Sequence, residues 1–410
     1  MESTLIQNRD IIMLGIQPWD VPIGCNFKNM AHEIALHNRV LYVNRPLDRV
    51  TKWKNPADIR TKNRLSSIKK GINVIEEVAD NLWIFNPQTQ LESINWMPDG
   101  KFYNYLNKRN NKLLAAEIRK AMKELQFTDP VLFIDNDFYN GLYLPDFLEV
   151  DITVYYLRDF LLAQPYFAKH GMVSEPKMIA KADLVVTNSL YLTSYAKKYN
   201  LESFYTGQGC GEEFFAPPPH VFPDDIRNIM KPVIGYCGFL TAMRLDIRLL
   251  EKIALSHPEW NIVLIGPEDE VFQKSVLHSI SNIYFLGNKN EKLLPDYVHY
   301  FDVCLNPQVV NQLTIGNYPR KVDEYLAAGK PVVATKTETM LDFEDSVSLC
   351  DNASEFIAAI ENALSGISDK EAAMKRMEVA RSHSWKNSIG KFYSAVNNYN
   401  KIRDKNGVNR

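Results

Sequence analysis

The sequence has few of the features that mark secreted, membrane-spanning or zinc-binding proteins. No apolar run approaches the roughly 20 residues that span a bilayer, and the N-terminal residues lack the basic start and apolar core of a signal peptide. No CxxC pair and no HExxH motif occur, and the cysteines are few and scattered: Cys25, Cys210, Cys237, Cys304 and Cys350. We therefore expect a cytoplasmic protein whose cysteines are buried free thiols.

Neither sign of charge dominates. The 47 Lys and Arg residues nearly balance the 49 Asp and Glu residues, and the formal net charge is −2. This balance gives no reason to expect nucleic acid as a partner. With 410 residues the chain exceeds the length at which one hydrophobic core keeps growing, so two domains are expected.

One segment departs from this balance. Residues 45–70 contain nine Lys or Arg and two Asp, a local excess of +7, together with Trp53. The segment is either a solvated loop or a contact for an anionic membrane surface or phosphorylated acceptor, where each basic residue contributes about 1 kcal/mol. The second alternative predicts a protein attached peripherally to the inner face of the cell membrane.

Short apolar runs and helical patterns alternate along most of the chain. This alternation favours α/β layers with parallel sheets. The rhythm breaks at residues 216–232, where five prolines in seventeen positions indicate an interdomain linker. We therefore predict two doubly wound domains that face each other across a cleft, at 1–215 and 233–384, followed by a C-terminal helix over 385–410.

Three glycines follow predicted strands in the second half of the chain: Gly238, Gly266 and Gly287. Glycine lets a backbone approach a ligand closely, and parallel α/β sheets bind ligands beyond the carboxyl ends of their strands. An ordinary turn is the alternative for each glycine taken alone. Three glycines at equivalent positions favour a ligand site.

The stretch YPRKVDEYLAAGKPVVAT (318–335) predicts a short helix, a glycine stop and a buried strand. Lys321 precedes Glu324 by one helical turn, so both side chains lie on one edge of the helix. These charges form either a solvated helix face or the wall of a site.

Several segments occur in the order seen in a known enzyme family. GYCGFL with RLD, WNIVLIGP, NIYFLG, LPDYVHYFDVCLNP and PRKVDEYLAAGKPVVAT resemble the retaining glycosyltransferases of the family-4 type (glycosyltransferase group 1), which have the GT-B fold. With IIMLGIQPWD and RVLYVNRP, they look most like the bacterial branch that builds cell-surface polysaccharides, including the teichuronic-acid transferases. The resemblance is specific over about 230–390 and looser over 10–215.

The resemblance implies two Rossmann-like domains, with the last helix crossing back to the first. In that family the C-terminal domain binds a nucleotide sugar and the N-terminal domain presents the acceptor, here expected to be a glycan or a polyprenyl-phosphate-linked intermediate. The implied reaction retains the anomeric configuration. We expect it to need no metal or other cofactor, because cationic side chains hold the donor diphosphate.

The resemblance also implies roles for particular residues. Glu324 would bind the donor ribose, since a carboxylate accepts hydrogen bonds from two vicinal hydroxyls. Arg244 and Lys321 would hold the diphosphate as catalytic cations, and the helix N-terminus at 318–320 would direct amides toward it. The other donor-binding residues implied are Gly24, Gly238, Gly266, Gly287, Asn288, Gly316 and Asn317.

Two positions depart from the family pattern. Gly316 stands where the first glutamate of an EX7E pair is common, so contact with the sugar would fall to the backbone of TIGN (314–317). YYLRDF places Arg158 and Asp159 where a histidine is common. Asp159 is predicted to contact the transferred sugar or the acceptor hydroxyl, with a salt bridge to a neighbouring base as the alternative.

A competing motif lies in VLFIDND, where Asp135 and Asp137 form a DxD after an apolar strand. In the other major glycosyltransferase fold this pattern holds Mn²⁺ or Mg²⁺ through oxygen ligands. Because Arg244 and Lys321 already supply positive charge, we expect loop-end carboxylates here and no metal. Two other functions stay open: a nucleotide-sugar epimerase on the same fold, and a scaffold that binds sugar or nucleotide without turnover.

Overall fold

A computed structural model of the protein describes residues 5–20, 25–47, 65–66 and 74–405. The chain divides into two compact units, an N-terminal unit (Met1–Thr206 with Ile389–Arg410) and a C-terminal unit (Gly207–Ser388). Gly24 and most of the basic segment 45–70 lie outside the described residues.

The N-terminal unit is built on strands β1 Asp10–Gly15, β2 Arg39–Val43, β3 Ile75–Ala79, β4 Leu82–Phe85, β5 Val131–Asp135, β6 Ile152–Leu157, β7 Leu184–Thr187 and β8 Ser203–Tyr205. Within the described residues they form one sheet in the order β3-β4-β2-β1-β5-β6-β7-β8. All neighbours are parallel except β3, which pairs antiparallel with β4 at the edge. The helices are α1 Asn26–Ala35, α2 Lys101–Leu125, α3 Pro165–Lys181 and α4 Leu190–Ala196, with 3₁₀ turns at Leu144–Asp146 and Leu161–Ala163.

The C-terminal unit has strands β9 Val233–Cys237, β10 Asn261–Ile265, β11 Ile283–Gly287, β12 Val303–Asn306, β13 Val332–Thr335 and β14 Ser348–Cys350. They form a parallel sheet in the order β11-β10-β9-β12-β13-β14. This is the order of a Rossmann sheet, whose direction of winding reverses between β9 and β12. The predicted α/β architecture with two Rossmann-like sheets is confirmed.

The helices of the C-terminal unit are α5 Ile247–Ser256, α6 Glu270–Gln273, α7 Leu294–Tyr300, α8 Arg320–Ala327, α9 Ala353–Ser365 and α10 Lys370–Ser382. Short 3₁₀ turns lie at Glu212–Phe215, Val276–Ser279, Glu291–Leu293 and Thr339–Phe343. The last helix, α11 (Trp385–Lys405), begins in the C-terminal unit, and its residues from Ile389 onward group with the N-terminal unit. There Phe392 stacks on Phe133 with ring centroids 4.8 Å apart.

The unit boundaries differ from the predicted ones. Residues 216–232, predicted to be a linker, lie inside the C-terminal unit. Ile226 and Ile229 are buried in its core, and Asp225 accepts a 2.8 Å hydrogen bond from Tyr297. The prolines therefore shape a packed segment, and the chain passes between units at 206/207 and again at 388/389.

All five cysteines are buried and free, as predicted. Among the described residues, no helix combines the length and apolar character needed to cross a bilayer.

A carboxyl group is buried in the core of the N-terminal unit. Glu175 on α3 has no exposed surface, and its oxygens accept hydrogen bonds from the hydroxyls of Tyr155 (3.4 Å) and Tyr195 (3.2 Å). Burial raises the pKa of Glu175 to about 8, against the opposing effect of these two hydrogen bonds. The neutral carboxylic acid is therefore the form that packs in this core.

We predict that Glu175 makes the stability of the protein depend on pH. Its folded pKa exceeds its unfolded pKa, so its contribution is fully present below about pH 4.5 and is lost as pH rises toward 8. At about 1.4 kcal/mol per pKa unit, Glu175→Gln should raise the free energy of unfolding at pH 8 by up to roughly 4 kcal/mol relative to wild type. Urea unfolding of both proteins from pH 5 to pH 8.5 measures the difference.

The control is Glu124→Gln, which changes an exposed glutamate on α2. Its unfolding free energy should follow that of wild type at every pH. Parallel pH profiles for Glu175→Gln and wild type would contradict the prediction.

Candidate functional site

A gap opens in the C-terminal sheet between β9 and β12. The two strands pair only through Ile234 and Gly235, although both continue beyond that point. At the end of β9 the backbone N–H of Cys237 donates instead to the hydroxyl of Tyr325, 2.8 Å away. Tyr325 is fully buried on α8, so this bond fixes the helix against the end of β9. Sheets of this topology bind their ligands at this position.

The three predicted glycines lie side by side along this edge. The N–H of Gly238 donates to the carbonyl of Ile265 (2.8 Å), and the N–H of Gly266 donates to the carbonyl of Gly287 (2.9 Å). All three have positive φ: +148°, +145° and +67°, respectively. A Cβ atom on Gly266 would lie 1.9 Å from the carbonyl oxygen of Gly238, so only glycine fits there.

Lys321 lies next to these glycines. A Cβ atom on Gly238 would come within 3.1 Å of Lys321 Cε, so the lysine side chain runs along the glycine backbone. Its ammonium group is 5.2 Å from the ring centroid of Tyr236. The first turn of α8 thus brings a positive charge to the ends of β9 and β10, where the resemblance places the diphosphate.

Glu324 is partnered by a residue to which the sequence analysis gave no separate role. Arg320 Nε donates to Glu324 Oε1 at 2.6 Å, and its Nη2 donates to Glu291 Oε1 at 3.2 Å. Burial alone would lower the pKa of Arg320, but the two carboxylates raise it above its usual value. The i,i+4 spacing of Arg320 and Glu324 is visible in the sequence, whereas the contact with Glu291 depends on the fold.

This ion-pair network joins α8 to the segment after β11. Glu291 follows Gly287, the last residue of β11, and Asn288, and both of these residues are exposed. Glu324 itself is only 8% exposed. Gly238, Gly266, Gly287, Lys321 and Glu324 therefore belong to one continuous surface, which we call the strand-end site.

Arg244 and the TIGN segment border the same strands. The carbonyl of Arg244, in the turn after β9, accepts from the N–H of Val309 in the loop after β12 (2.9 Å). This loop continues through Gly316 and Asn317, both buried, and Thr339 Oγ1 donates to its Ile315 carbonyl (3.1 Å). The structure thus ties the backbone of Arg244 to the loop that carries these two residues.

Buried polar atoms collect at the ends of β12 and β13. Within the described part of the chain, Asn306 Oδ1, Gln308 Oε1 and Thr335 Oγ1 are buried and form no hydrogen bond. Buried polar groups are rarely left unpaired in proteins. These atoms therefore provide hydrogen-bonding capacity for a ligand beside the strand-end site.

The DxD carboxylates of the N-terminal unit have partners within the protein. Asp135, fully buried, accepts from Arg158 Nε at 2.7 Å, and burial raises its pKa although Arg158 opposes the rise. Asp137 accepts from the backbone and side-chain amides of Asn140 at 2.9 and 2.7 Å. Asp159 accepts from Arg158 Nη1 at 2.9 Å, the salt bridge that the sequence left open as an alternative.

A second side-chain contact joins α8 to His383, the residue after α10. Asp323 is fully buried, and its Oδ1 lies 2.8 Å from His383 Nδ1, which is also 3.2 Å from the hydroxyl of Tyr318. Burial raises the pKa of Asp323, and His383 opposes this rise. His383 therefore provides a hydrogen-bond partner for the buried carboxyl group next to Glu324 in the sequence. The residues around His383 gave no indication of this role in the sequence.

Comparison with known proteins places the strand-end site in a family context. Residues 231–366 match the family described as glycosyl transferases group 1. This part of the chain is a group 1 glycosyl transferase domain. The domain contains β9 to β14, with the glycines of the strand-end site and both Lys321 and Glu324.

The chain is also similar in sequence to an individual known protein. It is 28% identical over 228 residues to TuaH of Bacillus subtilis, named as a teichuronic acid biosynthesis glycosyltransferase. That match covers 52% of this chain and 56% of TuaH, so it spans just over half of the relative.

Two solved structures are similar over nearly the full chain. HepE of Anabaena, in complex with UDP, has a TM-score of 0.64 at 15% identity, covering 95% of this chain and 99% of its own. Sucrose-phosphate synthase of Thermosynechococcus elongatus has a TM-score of 0.65 at 14% identity, with 95% and 99% covered. At these identities the likeness shows the fold, and it confirms the predicted GT-B fold.

We predict that Gly266→Ala destabilises the protein strongly. The new Cβ would collide with the Gly238 carbonyl, and the positive φ adds strain, so the combined loss should be roughly 3 kcal/mol or more. Gly100→Ala is the matched control, since Gly100 has a φ of +153° and nothing within 4 Å of its Cβ position. Urea unfolding should show a clearly smaller loss for Gly100→Ala, and equal losses would refute the collision.

We also predict that His383 and Asp323 are energetically coupled. His383→Phe leaves the buried Asp323 Oδ1 without its hydrogen-bond partner, which should lower the free energy of unfolding by roughly 1–3 kcal/mol. Asp323→Asn replaces the carboxyl group that needs this partner. The double variant should therefore lose clearly less than the sum of the two single variants, as measured by urea unfolding. Additive losses would show that the pair is not coupled.

Proposed function

We propose that the protein is a retaining, metal-independent glycosyltransferase. It would move a sugar from a nucleotide-sugar donor to a glycan or polyprenyl-phosphate-linked acceptor in bacterial cell-surface polysaccharide biosynthesis, at the cytoplasmic side of the membrane. The observation that carries the proposal is the strand-end site. There three glycine backbones lie side by side, Lys321 runs along Gly238, and Glu324 projects from the same helix.

The comparisons support a nucleotide-sugar donor. The HepE structure of the same fold contains UDP, and the relative TuaH is named for polysaccharide biosynthesis. We extend both to this chain as part of the proposal, with UDP as the first nucleotide to test.

The residues of the site provide a way to stabilise a departing nucleoside diphosphate. When the bond between the anomeric carbon and the diphosphate oxygen breaks, negative charge grows on the diphosphate. Lys321 and Arg244 would neutralise that charge, assisted by the amides at the N-terminus of α8. Positive charge fixed in advance stabilises the transition state without reorganisation, which is the role a metal plays elsewhere.

Glu324 would position the donor through its ribose. Arg320 holds Oε1 at 2.6 Å, so the carboxylate has a fixed orientation before a donor arrives. Gly238, Gly266 and Gly287 place no side chain of their own between the strand ends and the diphosphate or base. The transferred sugar would then lie toward the backbone of Gly316 and Asn317, and the proposed contact of Asp159 with sugar or acceptor completes the assignment.

The proposal predicts that UDP binding depends on Lys321 and Glu324. UDP should raise the melting temperature of wild type, because a ligand that binds only the folded state stabilises it. Lys321→Gln and Glu324→Gln should each weaken UDP binding at least about tenfold, which corresponds to about 1.4 kcal/mol. The readout is the rise in melting temperature that UDP causes in each variant. The melting temperature without UDP is not a suitable readout, because Glu324→Gln also removes one ion pair of Arg320.

Matched controls come from an exposed pair on α10. Lys375→Gln and Glu371→Gln alter a salt bridge of 2.9 Å whose side chains are 71% and 75% exposed. Both variants should keep the full UDP shift. If UDP and the other nucleoside diphosphates left the melting temperature of wild type unchanged, the assigned donor site would be wrong.

Turnover distinguishes the proposed enzyme from the two alternatives. A panel of nucleotide sugars and acceptors should yield a glycoside that retains the donor's anomeric configuration, with the rate unaffected by EDTA. Lys321→Gln should lower that rate by roughly 10²–10³, the usual effect of removing one electrostatic contact to a transition state. Conversion of donor alone into an epimer would favour an epimerase, and nucleotide binding without turnover would favour a scaffold.

A further inference from the structure

The N-terminal unit contains a pocket of about 610 Å³, a size typical of small-ligand sites. Its walls come from the segment after β2, from residues 91–96 between β4 and α2, from the side of α2, and from residues after β5 and β6. The pocket therefore lies beyond the carboxyl ends of its strands, where parallel sheets bind ligands. Donor binding at the strand-end site does not use these residues.

Aromatic side chains line much of the pocket. Trp96 is 72% exposed and Tyr166 is 54% exposed, which is unusual for such large rings. The indole N–H of Trp96 donates to the carbonyl of Ser93 at 2.8 Å, so the ring is held in place although it is exposed. Fixed aromatic faces attract the C–H groups of a pyranose ring, because the face of an aromatic ring is electron-rich.

The wall that carries Trp96 is anchored to α3. Lys169 Nζ donates to the Trp96 carbonyl (2.7 Å), and Asn95 Nδ2 donates to the Tyr166 carbonyl (3.3 Å). Behind them lies the fully buried ring of His170, whose Nε2 is 3.2 Å from the Asn95 carbonyl oxygen. The pocket is thus formed before any ligand binds, which lowers the entropy lost on binding.

Among the described lining residues, positive charge exceeds negative charge. The cations are Arg45 and Lys169, and the carboxylate in this set, Glu92, has Arg109 at 3.8 Å. An ammonium group has three N–H donors, and the Trp96 carbonyl takes only one from Lys169. Arg45 lies within electrostatic reach of Tyr139 in the same wall. A sugar seated on the aromatic faces would have cations within reach of an acidic substituent.

We propose that this pocket binds a pyranose that carries an anionic group, a carboxylate or a phosphate, as the end of the acceptor. The pocket itself supplies the argument for an anionic sugar, and its assignment to the acceptor rests on the proposed glycosyltransferase function. Trp96 and Tyr166 bind the pyranose ring, and Lys169 and Arg45 bind its anionic group.

Binding of three simple sugars to the full-length protein tests the proposal. Methyl β-D-glucuronide presents a carboxylate, glucose 6-phosphate presents a phosphate, and methyl β-D-glucoside is neutral. Titration calorimetry should show that at least one anionic probe binds about tenfold tighter than the glucoside. The tighter anionic probe identifies which group the pocket takes.

Two variants separate stacking from charge recognition. Trp96→Ala should weaken all three probes at least about tenfold, whereas Lys169→Gln should weaken the anionic probes clearly more than the glucoside, with Arg45 providing the preference that remains. The controls are Phe102→Ala on α2, 63% exposed, and Lys177→Gln, an exposed lysine further along α3. Neither control residue lines the pocket, so both variants should bind the probes as wild type does.

Several outcomes would overturn the proposal. It fails if none of the probes binds, if the glucoside binds as tightly as the anionic sugars, or if Lys169→Gln changes nothing. It also fails if Trp96→Ala abolishes binding to vesicles of anionic phospholipid while sugar binding persists, because the surface would then contact a membrane. The rise in melting temperature caused by UDP is measured for each variant as well. UDP reports on the strand-end site alone, so a normal UDP response with failed sugar binding would overturn this proposal and leave the proposed function standing.

Discussion

The close approach of Gly266 to Gly238 constrains the carboxyl edge of the C-terminal sheet. With a Cβ position only 1.9 Å from the Gly238 carbonyl oxygen, no other residue fits at 266 without moving a strand end. The same approach aligns the hydrogen bonds from Gly238 to Ile265 and from Gly266 to Gly287. The three glycines thus add no side chains of their own to these strand ends, and a ligand can approach the peptide groups closely beside Lys321.

Helix α8 adds charged side chains to this backbone surface, and these side chains have different partners. Glu324 is nearly buried and has Arg320 as its partner, so its cost of burial is offset within the helix. Lys321, one position after Arg320, points instead along Gly238. Tyr325 fixes the orientation of both groups by bonding to the end of β9. The helix therefore holds the Lys321 side chain in a fixed position beside the glycines.

The sequence was sufficient for the features that follow from local patterns. Buried apolar runs predicted most strands, and glycines after strands predicted the strand-end site. It was insufficient where long-range geometry decides. Edge strand β3 (IEEVA) is polar, and its pairing with β4 depends on a turn at Asn81 with φ of +62°. The proline-rich segment 216–232 was assigned to a linker because composition cannot show that Ile226 reaches a core.

The carboxyl ends of the strands have different surroundings in the two sheets. This difference determines where each unit has room for a ligand. In the C-terminal unit the end of β11 is open, because a Cβ on Gly287 would have nothing within 4 Å, while Tyr236 and Lys321 lie beside Gly238 after β9. In the N-terminal unit the end of β1 is covered by aromatic side chains, since a Cβ on Gly15 would meet Phe27 and the Tyr42 hydroxyl at 2.9 Å. Next to it, Asp135 and Arg158 occupy the end of β5 and the residue after β6. A ligand of the N-terminal unit must therefore sit farther out, on loops, where side-chain chemistry rather than backbone sets its selectivity.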